Sequence, residues 1–329
     1  MRRQRLGLVA AAGVFALGGS LLGGAVSSGS TPHAGSPAGK KVVYIPGLTG
    51  VPFYTTVNCG AALEAKKFGI RYSYQGSPTF GVPEQTSVVN AVVATKPYAI
   101  MISITDPNAM IAPLAAAKKA GIKIITIDGD LANKSIGITN IQANGFAGGK
   151  LAGQHLAQLI GGKGDVLMID NATGSTVSLA RQHGFEAGIK GYPGIKLLGV
   201  QYSSNSVATA AQIAQTTATT NANLKGIFTL ETNNTQGAIT GLREAGKTKS
   251  VKLVGFDTSA PIVAALHSGA LQGDVVQYPL LEGELGIQAV VDTVEGKPVR
   301  RDQTPPFVFA TPANVGSATV QKYIYKSSC

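Results

Sequence analysis

Polar side chains close four of the strands that the sequence predicts. Asp128, Asp170 and Asp257 each end an apolar run, and the polar segment 232–234 follows a fourth. Ligands of open parallel sheets bind outside the carboxyl ends of the strands, so we expect these side chains to face one crevice. Carboxylates, amides and hydroxyls there would form hydrogen bonds with a small polar ligand.

The same residues give no support for catalysis. No G-x-S-x-G elbow occurs, and no His stands beside a Ser or Asp at a strand end. The four His are far apart in the sequence, and two Cys are too few for a Cys-based zinc or iron–sulfur site. We therefore expect a protein that is not an enzyme and uses no cofactor or metal.

One segment matches a nucleotide-binding motif in the wrong context. Residues 241–248 fit the phosphate-loop pattern G-x-x-x-x-G-K-[ST]. That loop must follow a strand and begin a helix, so that backbone N–H groups and the helix dipole face the phosphate. Here a predicted helix precedes the motif and a strand follows it. Gly246 is therefore interpreted as a helix cap, and nucleotide binding is not expected.

The elements that must position the polar residues alternate between strand and helix. The strands are Val-, Ile- and Leu-rich runs, as expected when helices cover both faces of a parallel sheet, and several helices end in Gly, which favours a left-handed cap. The predicted strands are 41–45, 70–74, 98–104, 122–128, 165–170, 196–202, 224–230, 251–257 and 273–278. The predicted helices include 55–68, 109–120, 146–160, 177–190, 207–220 and 235–245.

This βαβα order predicts a doubly wound α/β architecture. The series is too long for one compact open sheet, and its natural break lies near residues 139–144. We therefore expect two α/β lobes that face each other and hold the ligand between them.

The N-terminus has the pattern of a secretory signal peptide, residues 1–27. A basic start is followed by an apolar segment, 6–26, and by the small residues Ala25-Val26-Ser27. A polar stretch, 28–39, follows as a flexible linker. Retention as a membrane anchor is the alternative, because about 20 apolar residues span a bilayer. No Cys follows the apolar segment, so a lipid anchor is not expected, and we expect export to the periplasm or cell exterior.

Composition and charge exclude further classes. The chain of 329 residues is 44% hydrophobic and 14% charged, so it can bury a core and is not disordered. Its net charge of +11 is scattered, without a basic stretch or an aromatic–basic array, so no nucleic-acid partner is expected. Cys59 and Cys329 could pair in an oxidising compartment. We favour two unpaired thiols instead, one packed on a helix and one on a loose tail.

A set of short motifs identifies a family. In chain order they are Pro52-Phe53-Tyr54, Ile127-Asp128, Asn144 before 148–153, Arg181 before Gly184-Phe185, 254–257, and Gln277. In this order and spacing the segment 41–277 resembles the type I periplasmic sugar-binding proteins, and the ribose-binding group in particular. These are the substrate-binding components of ABC sugar transporters.

The resemblance implies two Rossmann-like doubly wound parallel-sheet lobes joined by a three-strand hinge and closing over one sugar. The N-terminal lobe would be 40–141 with 278–305, and the C-terminal lobe 142–277 with 306–329. The implied function is that of an exported, monomeric solute-binding protein. It would capture a small uncharged sugar or sugar alcohol and deliver it to a membrane ABC permease.

The resemblance also implies which residues contact the ligand. Phe53 and Tyr54 would cover an apolar sugar face, Asp128 and Asp257 would accept hydrogen bonds from hydroxyls, and Arg181 would donate two parallel bonds. The alternatives are core aromatics, helix-capping aspartates and a surface arginine. The other implied ligand-binding residues are Ser103, Asn144, Asn205, Thr232 and Gln277.

Departures from the ribose-binding pattern bear on the ligand. Gly129 stands where that pattern has Arg, Val51 where it has Asn, and Asn205 where it has an aromatic. These differences favour another small sugar or a sugar alcohol. Residues 45–51 also resemble the autoinducer-2 receptors of the same fold, although those carry Lys at the position of Gly47. A receptor for a furanosyl signal, or a sensor or chemoreceptor protein, is therefore the alternative.

Overall fold

Two six-stranded sheets, each covered by helices, make up the protein in a computed structural model that describes residues 35–329. The predicted signal peptide, 1–27, and most of the predicted linker lie outside the described residues. Within the described residues, no helix is both long and apolar enough to cross a membrane.

Strands and helices alternate along most of the chain. The strands are β1 (Lys41–Ile45), β2 (Arg71–Tyr74), β3 (Ala99–Ile102), β4 (Lys123–Ile127), β5 (Thr139–Ile141), β6 (Lys163–Asp170), β7 (Gly194–Tyr202), β8 (Leu224–Thr229), β9 (Lys252–Phe256), β10 (Gly273–Val276), β11 (Asp302–Gln303) and β12 (Val308–Ala310). The helices are α1 (Pro52–Lys67), α2 (Val82–Ala94), α3 (Ile111–Lys119), α4 (Gly145–Leu159), α5 (Thr176–Ile189), α6 (Val207–Thr220), α7 (Thr232–Glu244), α8 (Ala260–Ser268), α9 (Pro279–Val294) and α10 (Ala318–Gln321).

The two sheets repeat one strand order. The first is β2-β1-β3-β4-β5-β11 and entirely parallel, and the second is β7-β6-β8-β9-β10-β12, in which only β12 is antiparallel to its neighbour. In each sheet the order reverses beside the first strand, which is the switch point where doubly wound sheets bind ligands. The predicted fold class, two doubly wound α/β lobes, is confirmed.

Continuous apolar strands form the two cores. Tyr44, Phe228 and Phe256 are among the largest fully buried side chains, because helices cover both faces of each sheet. The first sheet lies between α1 with α9 on one face and α2 with α3 on the other. In the second sheet, α4 and α5 cover one face, while α6, α7 and α8 cover the other.

Between residues 35 and 329 the chain crosses from one sheet to the other three times: after β5, between β10 and α9, and between β11 and β12. The first crossing falls at the break that the sequence indicated. The helix α9 packs along α1 and belongs with the first sheet. The phosphate-loop-like segment 241–248 ends α7 and leads toward β9. Its backbone N–H groups therefore do not lie at the start of a helix, as a phosphate loop would require.

The expectation of two unpaired cysteines is wrong. Cys59, on α1, and Cys329 form a disulfide whose Cα atoms lie 5.3 Å apart. Nearby, the Lys326 backbone N–H donates to Thr56 Oγ1 at 2.7 Å, so the chain end lies along the first helix. Residues 306–329 are predicted to belong to the C-terminal lobe, whereas Lys326 and Cys329 bond to α1. The lobe boundaries themselves stay a prediction.

Helices α4 and α5 pack so closely that glycines are required between them. A Cβ on Gly149 would lie well inside contact distance of the Arg181 carbonyl oxygen, and one on Gly153 would lie 2.5 Å from the Phe185 carbonyl oxygen. By contrast, a Cβ on Gly145, in the first turn of α4, would meet Ala180 Cβ at an ordinary 3.5 Å. The packing of α4 therefore fixes the position of α5.

We predict that Gly149→Ala lowers the melting temperature, whereas Gly145→Ala in the same helix does not. The added methyl at Gly149 must push α5 away, and such overpacking costs about 1–3 kcal/mol. Calorimetric melting of both variants checks this. Equal melting temperatures for the two variants would show that α5 can move without cost.

Candidate functional site

A cleft opens between the carboxyl ends of the two sheets, and its two walls differ in chemistry. The first-lobe wall is mainly aromatic and aliphatic, while the second-lobe wall is mainly polar. First-lobe lining residues include Val51, Phe53, Tyr54, Phe80, Ile104 and Asp128. Second-lobe lining residues include Asn171, Ser175, Arg181, Asn205, Glu231, Thr232 and Asp257.

The two strand-end aspartates adopt an unusual backbone conformation. Asp128 has φ +53° and Asp257 has φ +68°, which is the left-handed region that few residues other than glycine enter. Strain of this kind persists where surrounding structure enforces it, often at binding sites. Neither aspartate caps a helix, since β5 is the next element after Asp128 and Ser259 is the N-cap of α8.

Asp257 is held by three donors. Its Oδ1 accepts from Gln277 Nε2 at 2.7 Å and from the Tyr325 hydroxyl at 2.6 Å. Its Oδ2 lies 3.3 Å from Arg181 Nη1. Because the residue is only 5% exposed, these donors replace the water that the carboxylate loses.

Arg181 lies between the aspartates of the two lobes. Besides its contact with Asp257, Nη1 donates to the Leu230 carbonyl at 2.6 Å, and the guanidinium lies 3.9 Å from the centre of the Phe256 ring. Nη2 is 3.9 Å from Asp128 Oδ1, an oxygen that has no hydrogen-bond partner among the described residues. Asp128 Oδ1 is therefore a buried acceptor whose hydrogen-bonding capacity the described residues leave unused.

Asp170, at the end of β6, fixes the helix that carries Arg181. Its carboxylate accepts from Ser178 Oγ at 3.0 Å and from Gln182 Nε2 at 2.7 Å. These two residues flank Arg181 on α5. The aspartate therefore acts on the cleft through the orientation of α5.

Burial raises the pKa values of two acidic side chains in the cleft. It raises the pKa of Asp128 to about 7, an effect that Arg181 reduces and Asp257 increases. Burial also raises the pKa of Glu231 to about 7. The backbone N–H groups of Asn233 and Asn234 donate to its carboxylate and reduce this rise. For Arg181, burial alone would lower the pKa, but Asp257 and Asp128 outweigh it and the pKa is raised.

The structure brings most of the sequence-predicted site residues together. Seven of them line the cleft: Phe53, Tyr54, Asp128, Arg181, Asn205, Thr232 and Asp257. The Phe53 and Tyr54 rings meet edge to face, 5.4 Å apart, on the first-lobe wall.

Three predicted residues lie outside the lining. Ser103 is buried, with its Oγ 2.9 Å from the Tyr44 hydroxyl. Asn144 caps α4 by accepting from the Ala147 N–H at 2.9 Å, and it faces a separate groove beside Phe146. Gln277 lies behind Asp257 and bonds to it. The described residues hold no cluster of acids, His and Cys arranged to bind a metal ion.

Sequence reasoning missed Glu231 and Phe80. Glu231 directly precedes the predicted Thr232, so its place at a strand end was a usable signal. Phe80 lies in the irregular segment between β2 and α2, where no periodicity marks a lining position. It adds a third aromatic ring to the first-lobe wall.

Comparison with known proteins gives a consistent set of similarities. The family described as periplasmic binding protein domain matches residues 42–298. The ribose import binding protein of Escherichia coli is 25% identical over 277 residues, which cover 84% of this chain and 92% of that protein.

Solved structures show the same relationship. An ABC transporter solute-binding protein from Agrobacterium vitis, bound with α-D-tagatopyranose, is 30% identical with a TM-score of 0.85, covering 87% of this chain and 99% of that one. A carbohydrate transporter solute-binding protein from Agrobacterium radiobacter, in complex with D-arabinose, is 28% identical with a TM-score of 0.83 and the same coverage.

We predict that the ligand-free protein loses stability as the pH rises through the range in which its buried acids ionise. The folded-state pKa values of Asp128 and Glu231, about 7 each, lie above the ordinary carboxyl values near 4. The folded state therefore retains protons that the unfolded state releases between about pH 4 and 7, and the free energy of unfolding falls over that window.

Asp128→Asn removes one of these groups, so its melting temperature is expected to fall less than that of the wild type between pH 5 and pH 8. Asp302→Asn, on an exposed side chain of β11, is the matched control. Calorimetric melting at each pH measures the slopes. If melting temperature changes with pH identically in Asp128→Asn and in the wild type, the raised pKa of Asp128 is contradicted.

Proposed function

This chain belongs to the family of periplasmic binding protein domains, and from that membership we propose that it is an exported solute-binding protein of an ABC transporter. It captures one small uncharged sugar or sugar alcohol between its lobes and delivers it to the membrane permease. It is not an enzyme, because the family members it resembles bind and hand over their ligands.

The observation that carries the proposal is the pairing of an aromatic wall with a polar wall. A sugar ring presents apolar C–H faces and a rim of hydroxyls. Phe53 and Tyr54 on the first lobe offer ring surface for such a face. Asp128, Arg181 and Asp257 offer charged acceptors and donors for neighbouring hydroxyls, and charge-assisted hydrogen bonds are about twice as strong as neutral ones.

Closure of the lobes follows from the distribution of these charged groups over both lobes. Asp128 directly follows β4 of the first sheet, while Asp257 follows β9 of the second sheet and Arg181 lies on α5, which covers that second sheet. A ligand that bonds to all three bridges both lobes and stabilises the closed arrangement over the open one. Hinge closure of this kind gives a permease a way to distinguish loaded from empty protein.

The ligand we propose is a small sugar other than ribose. Gly129, beside Asp128, supplies no second cation, and Asn205 replaces a second-lobe aromatic with an amide. The autoinducer-2 alternative is not favoured by the space at Gly47, where even a Cβ would lie 2.7 Å from the Tyr54 hydroxyl. The similar proteins from Agrobacterium bind tagatose and arabinose, which makes these two sugars the leading candidates.

Export fits both the family and the covalent structure. Proteins of this family work outside the cytoplasm, and the Cys59–Cys329 disulfide belongs to an oxidising compartment. We propose that the signal peptide, 1–27, is removed on export.

Mass spectrometry of the exported protein should therefore show an N-terminus between about residues 26 and 40, as the length of such signals implies. A full-length chain found only in the cytoplasm would contradict export. A full-length chain in the membrane would instead support the anchor alternative.

Thermal melting against D-tagatose, D-arabinose, D-ribose, D-allose, D-fucose and xylitol tests the function directly. A ligand at 100 times its Kd stabilises the folded state by about 2.7 kcal/mol. We expect at least one of these compounds to raise the melting temperature. A protein that responds to none of them would contradict a small-sugar function.

Calorimetric titration with the responding compound then tests the site. At pH 8, above the raised pKa of Asp128, Asp128→Asn and Asp257→Asn keep side-chain size but remove a charged acceptor, which costs about 1.5–3 kcal/mol, or roughly ten- to a hundredfold in affinity. Asp302→Asn is the control and should bind like the wild type. Wild-type affinity in both cleft variants would remove these carboxylates from the site.

A further inference from the structure

The last residues of the chain form a strap along α1. We define the C-terminal strap as Tyr323–Cys329. The helix residues it contacts include Phe53, Thr56 and Cys59, which are spaced three apart and so lie along one side of α1. The contacts at these three residues include the edge-on packing of Tyr325 against the Phe53 ring at 5.8 Å, the Lys326 N–H bond to Thr56 Oγ1, and the disulfide.

The strap places one hydroxyl behind the cleft. Tyr325 is only 6% exposed, and its hydroxyl donates to Asp257 Oδ1 at 2.6 Å while accepting from the Gln277 backbone N–H at 3.3 Å. Burial raises the pKa of Tyr325 well above its ordinary value, and Asp257 raises it further. The hydroxyl therefore stays protonated and remains a donor.

This bond decides which oxygen of Asp257 remains for the ligand. Oδ1 accepts from both Gln277 and Tyr325, so Oδ2 is the oxygen turned toward Arg181 and the cleft. The terminal torsion of an aspartate is broad. Without the Tyr325 hydroxyl, the Asp257 carboxylate would keep Gln277 on Oδ1 and the longer contact to Arg181 on Oδ2. The second donor on Oδ1 therefore restricts the rotation of the carboxylate.

The disulfide holds the C-terminal strap against α1. Ordering the residues of an irregular segment costs backbone entropy. Cys329 bonds to Cys59, so the ordering of the strap is maintained by a covalent bond.

We propose that Tyr325 is a positioning residue for ligand binding, which orients the Asp257 carboxylate, and that the Cys59–Cys329 disulfide holds Tyr325 in place. The inference rests on the proposed function in one respect, namely that Asp257 contacts the ligand. It assigns a role in the binding site to a segment that lies outside the cleft lining.

The first test compares two tyrosines of the strap. Tyr325→Phe keeps the ring against Phe53 and removes the hydroxyl, and we expect affinity for the best-bound compound of the sugar panel to fall about tenfold. Tyr323→Phe is the matched control, because its ring lies against Tyr278, 4.5 Å away. It should bind like the wild type. Unchanged affinity in Tyr325→Phe would overturn the proposal.

The second test measures coupling to the disulfide. The double variant Cys59→Ser/Cys329→Ser should weaken binding about three- to tenfold by freeing the strap. Adding Tyr325→Phe to it should then have less effect than in the wild type, because the hydroxyl is already displaced. Wild-type affinity in the double variant, or an undiminished effect of Tyr325→Phe within it, would overturn the role of the disulfide.

A third measurement needs no ligand. Carboxyl-¹³C NMR of aspartate-labelled protein reports on the Asp257 carboxylate, which is identified by the resonance lost in Asp257→Asn. Tyr325→Phe should shift that resonance and Tyr323→Phe should not. If no compound binds the wild type, the proposed function fails, but this comparison still decides the role of Tyr325: an unshifted resonance would overturn it.

Discussion

A buried guanidinium between carboxylates of two lobes is the interaction on which the rest of the structure depends. Arg181 is 4% exposed and reaches Asp257 on its own lobe and Asp128 across the cleft. Buried charges are costly unless they are paired and hydrogen-bonded. Pairing is complete at Asp257, which has three donors, and incomplete at Asp128, whose Oδ1 has no hydrogen-bond partner within the described part of the chain. In the proposed function, a ligand hydroxyl supplies the missing donor, and this would couple ligand binding to lobe closure.

Several features away from the cleft serve this arrangement. Asp170 orients α5 through Ser178 and Gln182, while the glycines of α4 allow α5 to approach closely enough for Arg181 to reach both carboxylates. On the other side, Gln277 and the strap residue Tyr325 hold Asp257. The geometry of the cleft therefore depends on residues other than Asp128, Arg181 and Asp257.

The sequence was sufficient for the features that local pattern and sheet topology determine. Asp128 and Asp257 were predictable because parallel sheets gather the carboxyl ends of their strands at one edge. Asn144 was placed in the site, but its side chain caps α4, a local bond that competes with any ligand contact. The disulfide was not predictable, because its cysteines are 270 residues apart and only the path of the chain end brings them together. Phe80 lies on an irregular segment, which carries no periodic signal.

The most direct test of the central claim is a crystal structure of the protein with a bound sugar, D-tagatose or D-arabinose first. The account predicts sugar hydroxyls within hydrogen-bonding distance of Asp128 Oδ1, Asp257 Oδ2 and Arg181, with a ring face against Phe53 or Tyr54. A sugar bound elsewhere, for example in the groove beside Phe146, with no contact to either carboxylate, would contradict it.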